Sequence, residues 1–420
     1  MDYSLQFARM WNESSDRFPS DIPRVEPEEK KLREVRFNAF QLGMKKELDE
    51  RREEGMAPAV QFRLIRLLVD FFKDIAGYPD QLLEVMFSEG MMKSTTGFVH
   101  AARQSDPGIS FPDLFQAMRN VWIMNGLQFL MNRPVRLTAS VFAYSMLYPY
   151  TDNYLDDPAV TSRQKQEFCL RFGRRLAGEA VLPMNRHEEK IFRMVSLIEG
   201  EWPRMDFPKV YQSLLGIHEA QTRSIALLSG SLSEQDIFSI CAHKGGMSVI
   251  ADGYLVLGEM SREEEEFFYC YGAYLQLLDD LQDSGSDFDD SLMTVFSRAA
   301  GKEKLDLLLN RTYFLGLKVL AFADRIRSPR LPEFKALMKR SIDLFLIGAV
   351  VTNDRFFSRD FIREFEAFSP LGFSFVRKKD KTLSPYQNRL MEEVLKRMAA
   401  DDKAGDLLAD KKTGIVSVNS

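Results

Sequence analysis

Six aspartates that follow the most apolar stretches of the sequence are the residues best suited to chemistry. They are Asp152, Asp156, Asp157, Asp279, Asp280 and Asp283. In each of the two groups, two carboxylates stand four residues apart, so they share one face of a predicted helix. Desolvated like charges repel one another unless a cation compensates for them. We therefore predict that both groups bind Mg²⁺, which needs only one or two protein carboxylates beside water and phosphate oxygens.

Two basic residues between the acidic groups are candidates for binding a polyphosphate bridged by Mg²⁺. Lys244 stands beside Gly245 and Gly246, at an expected helix break where its ammonium could reach phosphate oxygens. Arg223 lies on the preceding helical segment. A surface role for the lysine and a structural role for the arginine are the alternatives, and both stay open.

Apolar and aromatic residues precede each acidic group by one or two helical turns. The candidate pocket residues are Tyr144, Leu147, Tyr148, Tyr271, Gly272 and Leu275. Such a wall suits carbocation chemistry, because water or a nearby lone pair would quench the cation and aromatic faces stabilise it. An ordinary hydrophobic core uses the same residues, so this interpretation stays open as well.

Helical patterns dominate the chain that must position these residues. Apolar residues recur at three- and four-residue spacing, and strand-like alternation is scarce. We predict an all-α protein of roughly a dozen helices, with a kink at Pro149. The expected organisation is accessory helices over 1–100, one catalytic bundle around a central cavity over 101–402, and a mobile polar tail over 403–420.

Composition excludes several classes of function. The 420 residues carry 56 Lys and Arg against 61 Asp and Glu, a net charge of -5, so no global basic field exists to attract nucleic acid. Three dispersed cysteines and four dispersed histidines give neither a disulfide framework nor the spacing of a zinc site. No run of eighteen apolar residues occurs. We expect a cytoplasmic protein that does not span a membrane.

The sequence resembles a known superfamily, the class I isoprenoid enzymes. The residues that carry the resemblance to trans-isoprenyl diphosphate synthases are Lys244, Leu257-Gly258, Gln276 and Asp279-Asp280-Leu281-Gln282-Asp283. The first acidic group is similar to the first aspartate-rich motif of that superfamily, with Asn153 where chain-elongating enzymes have a second Asp. The matching region runs from about 137 to 297, and Gln276 becomes a third candidate for contacting diphosphate.

Departures from the synthase pattern favour a related branch, the class I terpene synthases. The segment Asn132-Arg133-Pro134-Val135-Arg136 lies too close to Asp152 to be the segment that binds isopentenyl diphosphate. Chain-elongating synthases also have paired arginines just after the first motif, whereas this sequence has the single Arg163 there. Asp279, Asp283 and Asp287 match the ligand spacing of the second terpene synthase motif, although Gly285 makes an interruption of the helix before Asp287 possible. The bacterial large terpene synthases are the subgroup most worth comparing.

The resemblance implies a fold, an activity and an assembly. It implies an isoprenoid synthase fold, three Mg²⁺ ions and a homodimer. Asp152, Asp156, Asp279, Asp280 and Asp283 would take catalytic roles, and Asp157 and Asp287 would join them as metal ligands.

Three functions remain open from the sequence. The first is a terpene synthase, a lyase that converts one prenyl diphosphate to a hydrocarbon or alcohol in isoprenoid biosynthesis. The second is a prenyltransferase or polyprenyl diphosphate synthase, which joins an allylic diphosphate to isopentenyl diphosphate or to an aromatic acceptor. The third is an inactive helical binding protein.

Overall fold

The described part of the chain consists of α-helices, a few short 3₁₀ helices and the loops that join them. The structure, a computed structural model, describes residues 3–49, 58–157, 159–228 and 232–379, without the side chains of 48–49, 58–61 and 156. Within those ranges there are helices and turns but no β-strand, which confirms the predicted all-α class. The predicted tail over 403–420 lies outside the described residues.

The described part of the chain contains seventeen α-helices. In chain order they are α1 (Tyr3–Asn12), α2 (Pro27–Asp49), α3 (Pro58–Asp74), α4 (Asp80–Met86), α5 (Glu89–Ser105), α6 (Phe111–Leu130), α7 (Ala139–Asp156), α8 (Ser162–Leu176), α9 (Arg186–Glu201), α10 (Pro208–Ser224), α11 (Glu234–Leu257), α12 (Arg262–Gln282), α13 (Ser284–Asp289), α14 (Val295–Ala300), α15 (Asp306–Phe322), α16 (Leu331–Thr352) and α17 (Arg359–Phe365). The number exceeds the predicted dozen partly because helices α4, α13, α14 and α17 have only six or seven residues, too few to show an apolar period.

The helices group into two compact units. Among the described residues, unit 1 contains 3–49, 58–87, 226–228, 232–246 and 266–379, and unit 2 contains 88–157, 159–225 and 247–265. Both α11 and α12 contribute one segment to each unit. The predicted boundaries at 100 and 402 stay a prediction.

In unit 1, aromatic side chains fill the interior around α12. Phe267, Phe268, Tyr269 and Tyr274 are almost completely buried, as predicted for a helix apolar around its circumference. Helix α1 packs on α15, which pairs with α16, and α2 pairs with α3. The Phe7 ring stacks on the Phe238 ring of α11 at 5.8 Å between centroids.

In unit 2, α7 lies against α6 and α9, with α5 packed on α6 and α8 packed on α10. Helix α7 begins at the N-cap Thr138, whose hydroxyl accepts the backbone N–H of Val141. It continues through Pro149, where the missing N–H leaves one carbonyl without a helical partner. The Thr151 hydroxyl donates to the carbonyl of Leu147 at 2.9 Å beside this point.

None of the helices in the described ranges combines the length and the apolar character needed to cross a membrane. This agrees with the expectation from the sequence.

Candidate functional site

In unit 1, the end of α12 passes into α13 with only one residue between them. Asp283 is that residue, with φ -90° and ψ 6°. Its backbone N–H donates to the carbonyl of Asp279 at 2.9 Å, and the N–H of Asp287 donates to the carbonyl of Asp283 at 2.8 Å. The interruption considered at Gly285 therefore occurs at Asp283 instead, and the three aspartates occupy successive turns.

Asp280 is the buried member of this acidic group. Its Oδ1 accepts a hydrogen bond from Gln276 Nε2 at 2.8 Å. Its buried Oδ2 receives no hydrogen bond from an N–H or O–H donor of the described residues, and the Cys241 thiol adjoins the carboxylate. Burial raises the pKa of Asp280 to about 7, and the nearby charge of Asp279 adds to the effect. A buried carboxylate oxygen without an N–H or O–H donor is a position that a cation can satisfy.

Asp287 belongs to the same electrostatic group. Burial raises its pKa to about 7, and the charges of Asp280, Asp283 and Asp279 raise it further. The four carboxylates therefore repel one another across the α12–α13 junction.

Glycines bring α11 and α12 into close approach beside Asp280. A Cβ placed on Gly245 would lie 2.5 Å from both the carbonyl oxygen of Gly272 and the Cβ of Gln276. A Cβ on Gly246 would lie 2.5 Å from the Tyr269 ring. Helix α11 runs unbroken through both glycines, so the expected break at Lys244 is wrong and the glycines serve helix packing.

Lys244 and Gln276 lie near the acidic group. The Lys244 ammonium lowers the pKa of Asp280 slightly, against the larger effect of burial. Gln276 is half-buried and donates to Asp280. These two predicted diphosphate contacts therefore share the surroundings of Asp280.

The predicted pocket residues of unit 1 lie along α12. Tyr271 is buried, with its ring stacked on Phe267 at 5.7 Å and edge-on to Phe334 at 5.8 Å. Gly272 is buried at the crossing with α11, and Leu275 is half-buried. Tyr271 has the environment of a core residue, and its role as a pocket wall stays a prediction.

Two residues beyond α16 hold the α12–α13 junction in place. Asn353 donates from Nδ2 to the carbonyl of Gln282 at 2.7 Å. Arg355 donates from Nη2 to the carbonyl of Gly285 at 3.0 Å and pairs with Asp289 at 2.8 Å. The sequence does not predict the role of Asn353, because no local pattern links an asparagine at this position to the end of α12.

In unit 2, the first acidic group occupies the end of α7. Asp152 is buried in the last turns. Asp157 caps the helix, is exposed, and accepts the backbone N–H of Ala159 at 2.7 Å. The side chain of Asp156 lies outside the described residues. The side-chain amide of Asn153 donates to Asp113 at 2.7 Å.

A cluster on α9 and the end of α5 anchors this part of α7. The Tyr150 hydroxyl donates to Asp106 at 2.9 Å, and Lys190 Nζ donates to the same carboxylate oxygen at 2.6 Å. The His187 ring stacks on Tyr154 at 4.9 Å, and burial lowers its pKa. These residues are dispersed along the chain, so no local sequence pattern indicates that they come together.

The predicted wall of unit 2 adjoins a buried carboxylate. Tyr144 and Leu147 are buried, and Tyr148 is half-buried. Burial raises the pKa of Tyr144, and the charge of Asp252 contributes next. Asp252 is fully buried and accepts from Asn120 Nδ2 at 3.2 Å, and burial raises its pKa well above the ordinary value. Asp252 was not among the predicted site residues.

Arg223 lies in the last turn of α10 and is exposed. Its contact with diphosphate stays a prediction.

The donor atoms suit a hard cation, although they do not enclose one. Among the described side chains, no three Asp, Glu, His or Cys residues are grouped so as to hold a metal ion by themselves. Mg²⁺ needs fewer protein ligands, because water and phosphate oxygens complete its shell. The carboxylate oxygens of this group, including the Oδ2 of Asp280 that lacks an N–H or O–H donor, therefore suit Mg²⁺.

Comparisons with known proteins give no assignment. No protein-family model matches the chain, and neither the curated proteins nor the solved structures yield a match.

Proposed function

We propose that the chain is a Mg²⁺-dependent enzyme that ionises an allylic prenyl diphosphate, most simply as a class I terpene synthase. The observation that carries the proposal is the succession of Asp279, Asp283 and Asp287 on consecutive turns beside the buried Asp280. The proposal includes the isoprenoid synthase fold, with a central cavity, and the homodimer that the resemblance implies.

The electrostatic cost of the acidic group argues that it has a ligand. A pKa of about 7 for Asp280, against 3.8 for an ordinary aspartate, corresponds to about 4 kcal/mol of cost for its ionised form. Natural chains keep such unfavourable groups mainly where function requires them. Bound cations would remove this cost and make the carboxylates good ligands.

The chain's own residues have separable roles in the proposed reaction. Asp279, Asp280, Asp283 and Asp287 would hold Mg²⁺ in unit 1, as Asp152, Asp156 and Asp157 would in unit 2. Three bound Mg²⁺ ions would neutralise the diphosphate and so favour its departure. Lys244, Gln276 and Arg223 would bind the diphosphate oxygens, with Lys244 acting as a point charge.

The wall residues would protect the cation that remains after the diphosphate leaves. Tyr144, Leu147, Tyr148, Tyr271, Gly272 and Leu275 would exclude water, which otherwise adds to the cation. The aromatic faces among them would stabilise its positive charge.

The contact of Asn153 favours a single-diphosphate reaction over chain elongation. The amide of Asn153 donates a hydrogen bond to Asp113. At this position the motif therefore has a hydrogen-bonded amide instead of a further carboxylate that could bind Mg²⁺. A prenyltransferase is the second candidate.

One assay separates the candidate functions. The protein is incubated with Mg²⁺ and geranyl, farnesyl or geranylgeranyl diphosphate, with and without isopentenyl diphosphate, and organic products and released diphosphate are measured. We expect release from the allylic substrate alone. Release that requires the added acceptor would identify a prenyltransferase, and no metal-dependent turnover or binding with any substrate would reject both enzymatic functions.

A further inference from the structure

A pocket in unit 2 lies at the N-terminal end of α7, at the opposite end of that helix from the acidic group. Its volume is about 250 Å³. The residues that line it are Gln128, Arg133, Pro134, Arg136, Thr138, Glu201, Trp202, Val256 and Leu257. From Thr138 to Asp152 the helix rises about 20 Å, so this pocket is separate from the first acidic group.

The loop between α6 and α7 is held in a defined shape at the pocket. Buried Gln128 donates from Nε2 to the carbonyl of Arg136 at 3.1 Å and accepts the N–H of Arg136 at 3.0 Å. The N–H of Arg133 donates to the carbonyl of Gln128 at 2.8 Å. Because these bonds use the backbone, both guanidinium groups remain available for other contacts.

The charges lining the pocket favour an anion. Among the described residues, no carboxylate pairs with Arg133 or Arg136 in the structure. The one acidic lining residue, Glu201, already accepts the N–H of Ser140 at 2.7 Å, at the first turn of α7, where the helix dipole favours a negative charge. The lining therefore contains two arginines and a single carboxylate that already accepts a hydrogen bond. Guanidinium groups pair well with phosphate.

Apolar side chains also line the pocket. The indole N–H of Trp202 donates to the carbonyl of Leu255 at 3.1 Å, so the ring has no free polar atom to present. Val256, Leu257 and Pro134 extend this surface. A ligand that matches this lining would carry both an anionic group and a planar apolar group.

We infer that the pocket binds a small phosphomonoester that carries a planar apolar group. Two arginines match the two negative charges of a phosphomonoester, and Trp202 with its neighbours matches the apolar group. The site does not depend on Mg²⁺ or on the acidic residues, and it goes beyond the proposed function.

Calorimetric titration tests the inference. Phenyl phosphate, inorganic phosphate and neutral benzyl alcohol serve as probes, each in buffer with EDTA so that metal-dependent sites stay silent. The variants are Arg133→Gln and Arg136→Gln, which leave the backbone bonds to Gln128 intact. Arg186→Gln, at an exposed arginine of unit 2 outside the pocket, is the charge-matched control, and circular dichroism verifies that each variant is folded.

We expect one saturable site for phenyl phosphate, with affinity about tenfold lower in each pocket variant and unchanged in Arg186→Gln. Inorganic phosphate should bind more weakly, and benzyl alcohol should not bind. Absence of saturable phenyl phosphate binding, or equal affinity in the pocket variants and the control, would overturn the inference. Inorganic phosphate that binds as tightly as phenyl phosphate would also overturn it, because the apolar side chains would then contribute nothing.

Discussion

The side-chain amide of Asn353 donates to the backbone carbonyl of Gln282, the last residue of α12, at 2.7 Å. The final carbonyls of a helix have no partner within it, and Asn353 satisfies one of them where α12 meets α13. The position of the acidic turns thus depends on a residue that follows α16. The position of Asn353 also explains why glycine occupies position 285, because a side chain there would meet the amide of Asn353.

Gly285→Ala should destabilise unit 1. A Cβ at this position would lie 2.7 Å from Oδ1 of Asn353, so the cap must move. We expect a loss of about 1–3 kcal/mol in the free energy of unfolding, measured by urea denaturation. Gly348→Ala is the matched control, because a Cβ there meets nothing within 4 Å and alanine favours a helix interior. Equal stability of both variants would contradict the tight contact.

Gly245→Ala should separate α11 from α12. The new Cβ would lie 2.5 Å from the carbonyl oxygen of Gly272, a backbone atom that cannot rotate away. We expect a loss of stability of about 2 kcal/mol or more, together with a greater loss of substrate turnover, since Gln276 and Asp280 lie at this crossing. If Gly245→Ala and the wild type have the same midpoint of urea denaturation, the two helices do not approach so closely.

Asp280→Asn should stabilise the metal-free protein while abolishing turnover. Burial and the neighbouring carboxylates make the ionised form of Asp280 unfavourable, and the neutral amide removes that cost. We expect the free energy of unfolding at pH 8 in EDTA to rise by about 2 kcal/mol. Thermal or urea denaturation measures the gain. Loss of stability in this variant would mean that Asp280 serves the fold and not a ligand.

Asp252 should make stability depend on pH. Burial raises its folded-state pKa well above the ordinary value of 3.8, so the folded state holds a proton that the unfolded state releases. The stability that this proton contributes is fully present below the pKa of Asp252 in the unfolded state. It is lost as the pH rises through the pKa of Asp252 in the folded state. Asp252→Asn should therefore gain stability over wild type as pH increases from 4 to 8.

Urea denaturation of the wild type and Asp252→Asn across that pH range measures the difference. The difference should be smallest at pH 4, because there Asp252 is protonated in the folded state and still partly protonated in the unfolded state. A difference that is constant with pH would show that Asp252 is not the titrating group.

The sequence predicted local features well and distant contacts poorly. The apolar stretch that ends at Asp283 indicated a buried helix, and the structure buries its aromatic residues around α12. The glycines after Lys244 indicated a helix break, yet they allow α11 to cross α12 closely. The same residue type serves turns and tight helix packing, and only the partner helix distinguishes them.

Contacts between residues far apart in the sequence could not be predicted. Asn120 and Asp252 form a buried hydrogen bond between α6 and α11, and each looks ordinary within its own segment. Asn353 likewise has no local pattern that identifies it as a cap for α12. These contacts depend on how the helices pack, which a single sequence does not encode as a period or a motif.

The most direct test of the proposed function measures Mg²⁺-dependent release of diphosphate from an allylic prenyl diphosphate as the only substrate. The rate of release is compared between the variants Asp283→Ala and Asp290→Ala. Asp290 is exposed and follows α13, so its replacement removes the same charge outside the three successive turns. We expect the wild type and Asp290→Ala to release diphosphate, and Asp283→Ala to release it at least a hundredfold more slowly. Equal rates in the two variants, or no release by the wild type at any substrate chain length, would contradict the proposed function.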